Sequence, residues 1–168
     1  FAGRPVSAAT GPKARVLKKV PGDEKMVEAC DYLTGTPVGE TVAVIGGGLT
    51  GCEIAYELAL QGKKPIIVEM KDDLVSQKGI CLANSSYLRE WFDLHNVPVY
   101  LETTLKEVQE GKIICKDKNG QKIEIPCDSV ISSAGYIPNP LVKGGKNVYL
   151  IGDCKDIGNL RTVIWGAY

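Results

Sequence analysis

Residues 41–53 read TVAVIGGGLTGCE, and the fold of the chain turns on them. The run 41–45 is apolar and rich in β-branched residues, as expected of a parallel strand buried on both faces. Gly46-x-Gly48-x-x-Gly51 follows directly, and the pattern then becomes helical to about Gln61. Gly51, Ala55, Leu58, Ala59 and Gly62 form the expected sheet-facing stripe, all small or aliphatic, so that helix and sheet can pack closely. Residues 65–69 (PIIVE) read as the next strand, completing a βαβ unit of about 30 residues.

Each glycine has a separate task in such a unit. Gly46 permits the tight turn, Gly48 lets the backbone approach a pyrophosphate, and Gly51 lets the helix pack on the strands. The helix start offers unpaired N–H groups and a partial positive charge to phosphate oxygens. The stretch Gly46, Gly47, Gly48, Leu49, Thr50 and Gly51 is therefore the candidate dinucleotide-binding turn. Glu69 closes the second strand at the distance expected for the acid that accepts hydrogen bonds from the adenosine ribose. A glycine-rich turn with an incidental glutamate is the plain alternative, but it does not require strand, helix, second strand and acid to fall in order.

The same acid bears on cofactor choice. Met70, Lys71, Asp72 and Asp73 follow Glu69, and a carboxylate facing a 2′-phosphate is repulsive, with Lys71 the only nearby cation. NADH is expected over NADPH. Glu53 lies about 200° round the helix from the sheet-facing stripe, by the 100° advance per residue. It is either a solvated first-turn acid favoured by the helix dipole or a group facing the nicotinamide.

Outward from this unit, residues 5–10 (PVSAAT) read as a short buried strand ended by Gly11-Pro12. A helix is expected over 24–33, with Met26, Val27, Cys30 and Leu33 at helical spacing and Gly35 as its stop. Residues 35–39 read as a linker. Beyond Glu69, a helix is expected over 85–95 with Leu88, Trp91, Phe92 and His95 on one face, then a strand over 97–101. Short pieces at 105–108, 112–116 and 122–125, separated by Gly111 and Asn119-Gly120, read as an antiparallel three-stranded meander. Residues 129–133 return as a central parallel strand, 148–151 form another that meets Gly152-Asp153, and a last helix starts near Leu160. The expected class is α/β, a Rossmann-type parallel sheet carrying an antiparallel meander.

Composition sets outer bounds. The 168 residues carry no net charge and are 44% apolar and 24% charged, which gives no basic field for nucleic acid or membrane. No apolar run approaches the roughly 18 residues needed to cross a bilayer. No export signal is evident, so the cytoplasm is the expected compartment. The six cysteines are scattered, none at metal-binding or C-x-x-C spacing, and read as small apolar residues. Cys52 and Cys154 flank the fingerprints, yet packing accounts for them. His95 reads as a surface residue at a helix end, not a base. No catalytic residue and no metal ligand are nominated. Both ends look cut, so a piece of a longer polypeptide is expected.

The marks taken together resemble the two-dinucleotide-binding-domain flavoproteins, in which an NAD(P)H domain is inserted into an FAD domain. Ala9-Thr10-Gly11 is similar to the segment ending the first half of the FAD domain. The G-G-G-x-x-G-x-E string is similar to the inserted NADH fingerprint, whose Glu, here Glu53, the resemblance puts by the nicotinamide carboxamide. Ala134-Gly135 is similar to the segment passing close to the nicotinamide cofactor. Residues 147–153 (NVYLIGD) are similar to the second FAD fingerprint, whose Asp, here Asp153 after Gly152, would hold the flavin ribitol. The tail GDCKDIGNLRTVIWGAY most resembles the C-terminal part of NADH:flavin oxidoreductases of the old-yellow-enzyme type, the enoate and dienoyl-CoA reductases. The histamine- and trimethylamine-dehydrogenase group shares the layout.

The resemblance implies an FAD-domain remnant at 1–37, an NADH-binding domain at 38–137 and a second FAD-domain remnant at 138–168. It implies hydride entry from NADH to FAD, with electrons passed to an FMN and 4Fe-4S barrel that this chain does not include. That barrel and the other FAD half-domain are the expected partners. Only one G-x-G-x-x-G occurs here, so the chain by itself is expected to be inactive and not to hold FAD. The short segment 140–146 also departs from the pattern. Alternatives of other classes are a stand-alone NAD(H) sensor and a piece of a disulfide reductase or NADH oxidase.

Overall fold

The computed structural model describes residues 4–17, 20–76 and 79–167. In chain order its strands and helices begin with β1 (Val6–Ala8), β2 (Pro12–Ala14), β3 (Val27–Glu28) and α1 (Ala29–Leu33). The fingerprint region is β4 (Thr41–Ile45), α2 (Leu49–Leu60) and β5 (Lys64–Val68), followed by α3 (Leu82–Leu94) and β6 (Val99–Tyr100). The meander is β7 (Thr104–Gln109), β8 (Lys112–Lys116) and β9 (Lys122–Pro126). The chain closes with β10 (Ser129–Ser132), β11 (Tyr136–Pro138), β12 (Val148–Leu150) and α4 (Leu160–Trp165).

By internal contacts the chain divides into two units, Val16–Gly135 and the pair of segments Phe1–Arg15 and Tyr136–Tyr168. The first unit is built on a five-stranded parallel sheet in the order β3-β10-β4-β5-β6. Alternation along each strand assigns its side chains to two layers. Val42, Val44, Ile67 and Ile131 pack with Ile54, Ala55 and Leu58 of α2 and Leu88 and Phe92 of α3. Ala43, Ile45, Val68 and Val130 pack on the other side with Leu105, Val108, Ile113, Cys115 and Ile125 of the meander. Both layers exclude water from β4, which is why residues 42–45 form a continuous apolar run.

The α/β class, the parallel sheet and the meander are as expected from sequence. The helix expected over 24–33 is not. Asp23–Lys25 is a single 3₁₀ turn, Val27–Glu28 pairs with Ile131–Ser132 as the sheet's edge strand, and helix begins only at Ala29. The backbone groups of Val27 and Glu28 find partners in β10, and that tertiary pairing overrides the local helical spacing. In α2 the buried face is Gly51, Cys52, Ile54, Ala55 and Leu58. Gly62 lies past the helix end at φ +80° and is exposed, so it is not part of the stripe.

In the second unit β1 pairs in parallel with β12, and β2 pairs antiparallel with β11. The strand at 5–10 was expected to be buried, yet Val6 is 56% exposed. A two-stranded ribbon has no second layer to cover its side chains. The pairing of β2 with β11 had no sequence signal, because three residues with a proline in each strand show no periodicity. Pro12 and Pro138 face each other at its end, a position that tolerates a missing N–H.

Candidate functional site

Parallel strands bring their carboxyl ends to one edge of the sheet, so the turn after β4, the residue after β5 and the residue after β10 become neighbours. Gly46 leaves β4 at φ +111°, with its N–H donated to Val68 O at 2.8 Å. A Cβ on Gly46 would collide with the backbone oxygen of Ser133 just beyond β10, and one on Gly51 would collide with the Gly46 carbonyl. These two glycines are therefore fixed by close backbone approach. Gly48 is the N-cap of α2 in an extended conformation, φ −71° and ψ 180°. The first intrahelical bond runs from Cys52 N–H to Gly48 O at 2.9 Å. The N–H groups of Leu49, Thr50 and Gly51 thus have no intrahelical acceptor, which is the arrangement that receives phosphate oxygens.

Glu69 stands at the end of β5 and is only 7% exposed. Its carboxylate bridges two backbone donors, Gly47 N–H to Oε2 at 2.6 Å and Lys71 N–H to Oε1 at 2.8 Å. A buried carboxylate is tolerable only when hydrogen-bonded, and two short charge-assisted bonds meet that demand. Each oxygen keeps a lone pair, so the group can still accept from a vicinal diol. Met70 and Lys71 are exposed beside it. Glu53 points outward from α2 and is exposed, on the side its angular position indicated. Ala134 is half-buried, and Gly135 follows it at φ +89°, exposed.

The edge also carries Glu28 at the end of β3, in register with Ser132. Burial raises its carboxyl above the usual range, opposed by the Ser132 hydroxyl and reinforced by Asp31. Cys52 is fully buried and its thiol donates to Gly47 O at 3.4 Å. Burial, with Glu69 next, pushes that thiol up to about 12, so it is a packed neutral group and not a nucleophile. His95 ends α3 on the surface, stacked on Trp91 at 3.9 Å between ring centroids.

In the other unit, Gly152 opens a 3₁₀ turn at φ +66°, and Asp153 Oδ1 accepts from Gly158 N–H at 3.1 Å. Cys154 is buried, its thiol directed at Ala8 O and Ile151 O.

Sequence reading missed Leu74, Val75 and Arg89. Leu74 and Val75 are buried at 4% and 3% exposure in an otherwise polar loop, against the glycine turn. An apolar pair inside KDDLVSQKG was the available signal. A shallow cleft of about 450 Å³ lies elsewhere, between α1 and the C-terminal end of α2, and holds none of the fingerprint residues. Among the described residues no His/Cys/Asp/Glu group could hold a metal, and no helix is long and apolar enough to cross a membrane.

A glycine turn feeding a helix from a buried parallel strand, with an acid closing the next, is the architecture of Rossmann-type dinucleotide-binding domains. The chain belongs to the pyridine nucleotide-disulphide oxidoreductase family, whose model matches residues 6–150. Cinnamate reductase of Clostridium sporogenes is 34% identical over all of this chain and 26% of its own length. An NADH oxidase of Thermoanaerobacter brockii is 30% identical over 97% of this chain and 27% of its own. The solved 2-naphthoyl-CoA reductase in complex with 2-naphthoyl-CoA superposes with a TM-score of 0.84 at 24% identity, covering 96% of this chain and 26% of that one. The chain thus spans about a quarter of the length of the relatives it matches. They bear out the resemblance to flavoenzymes of the enoate-reductase type.

Proposed function

We propose that this chain is the NADH-binding part of a flavin-dependent oxidoreductase and presents the nicotinamide for hydride transfer to FAD. The observation that carries this reading is Glu69, a buried carboxylate at a strand end already bonded to the glycine turn. Leu49, Thr50 and Gly51 N–H would receive the pyrophosphate, and Glu69 would accept from the ribose hydroxyls. Met70 and Lys71 would border the adenosine. Glu53, Ala134 and Gly135 would lie on the nicotinamide side. When bound, NADH supplies the hydride and FAD accepts it; the chain supplies orientation and a fixed electrostatic surround. No side chain need act as acid or base.

By ligand we assign 38–137 to NADH and 1–37 with 138–168 to an FAD domain, where Gly152 and Asp153 would meet the flavin nucleotide. Under this proposal the electrons pass onward to an FMN and iron–sulfur barrel outside this chain. The test is a titration of NADH and NADPH into the purified chain, followed by nucleotide fluorescence. NADH is expected to bind with the higher affinity. Glu69→Ala is expected to weaken it by about 1–2 kcal/mol, the scale of a lost charged hydrogen bond, or roughly 5- to 30-fold in Kd. Equal affinities in wild type and Glu69→Ala would refute the assignment.

A further inference from the structure

The backbone of Gly47 is held on both sides, through its N–H and through its carbonyl, and only the N–H side belongs to Glu69. Its N–H goes to the Glu69 carboxylate, while its carbonyl accepts Val75 N–H at 2.8 Å and faces the Cys52 thiol. Val75 meets that carbonyl with its backbone at φ +48°. A β-branched residue rarely enters the left-handed region, and such a backbone persists only where its surroundings over-determine it.

Those surroundings are few and specific. The Val75 side chain is buried in the layer between sheet and helices. Leu74 Cδ2 occupies the place a Cβ of Gly47 would fill. Arg89 reaches over from α3 and donates to Leu74 O through both Nε, at 3.0 Å, and Nη2, at 2.5 Å. The same guanidinium pairs with Asp73 Oδ2 at 2.7 Å. One planar cation thereby fixes consecutive residues on the loop, a geometry that lysine cannot reproduce in full.

We infer that Arg89 is a positioning residue for the nucleotide turn. By clamping residues 73–74 it holds Val75 N–H on Gly47 O and so sets the Gly47–Gly48 peptide plane that leads into the free α2 amides. The inference rests on the nucleotide reading above, but its mechanical half can be tested without ligand.

The experiment compares wild type, Arg89→Gln, Arg89→Lys and Asp73→Asn by amide hydrogen exchange of the ligand-free chain and by NADH titration. Exchange at Val75 and Gly47 is expected to rise in Arg89→Gln while β4 and α2 stay protected and the thermal midpoint moves little. NADH affinity is expected to fall roughly tenfold or more, as for a lost charged hydrogen bond. Arg89→Lys should recover part of that loss, and Asp73→Asn should show the smallest effect. Unchanged exchange at Val75 in Arg89→Gln overturns the clamp. Faster exchange with wild-type NADH affinity overturns the positioning role. A parallel loss of affinity and global stability in Arg89→Gln that Arg89→Lys does not relieve marks a purely structural residue and also overturns it. If wild type binds no NADH, the nucleotide reading fails on its own, and the exchange data still decide the clamp.

Discussion

At Gly51 an added Cβ would meet the Gly46 carbonyl oxygen, and at Gly47 it would meet the end of the Leu74 side chain. The two clashes differ in what can yield. The Gly46 carbonyl shares its peptide with Gly47 N–H and cannot turn without disturbing the bond from that N–H to Glu69, whereas a leucine methyl can turn. Gly51→Ala is therefore expected to lower unfolding free energy by about 1–3 kcal/mol, the range for overpacking, and to abolish NADH binding. Gly47→Ala should cost less stability. Urea denaturation of both variants checks the order. Cofactor choice is a residue-scale matter too. Met70 is 71% exposed next to Glu69, so Met70→Arg can reach a 2′-phosphate without disturbing the core. It should shift the NADH-to-NADPH affinity ratio toward NADPH, measured by paired titrations.

Among the elements, α2, β4 and the meander bury three thiols, Cys52, Cys115 and Cys127, and burial governs their chemistry. Desolvation pushes Cys52 to about 12 and Cys115 and Cys127 to about 11, against an ordinary value of 9.0. A thiol whose folded pKa is raised contributes stability that is complete below its unfolded pKa and is lost as pH climbs through the folded value. The urea midpoint should therefore decline from about pH 9 upward. A variant with Cys52, Cys115 and Cys127 all replaced by alanine should lack that thiol-dependent part of the decline. Under native conditions at pH 8, a thiol reagent should modify Cys30 and Cys81, which are exposed, and leave the four buried cysteines until unfolding. In α3, Phe92 is 1% exposed in the layer beneath the helices, and Phe92→Ala should cost about 3–5 kcal/mol.

For the whole molecule, the expected division of labour is between a nucleotide unit with a full two-layer core and a smaller unit of short paired strands. Leu160 and Trp165 of α4 are 79% and 74% exposed. With a single G-x-G-x-x-G in the chain, NADH should bind without bound flavin. Absorbance near 450 nm after incubation with FAD and desalting would show otherwise.

Much of this was legible in the residues themselves. The run 41–45, the three spaced glycines and Glu69 each answer a local demand: a strand buried on both faces, a turn with no room for Cβ, an acid at a strand end. Periodicity and sterics of that kind are written in neighbouring residues, so the sequence determined the βαβ unit, the meander and the place of the glycine turn. It did not determine the edge strand at Val27–Glu28, whose spacing looked helical until β10 offered its backbone a partner. Nor did it determine the hold on Gly47, where Val75, Leu74 and Arg89 converge from a polar loop and a helix far along the chain. Those contacts depend on which groups the fold brings within hydrogen-bond range. Only the tertiary structure decides that, because a hydrogen bond between distant residues leaves no period in the chain.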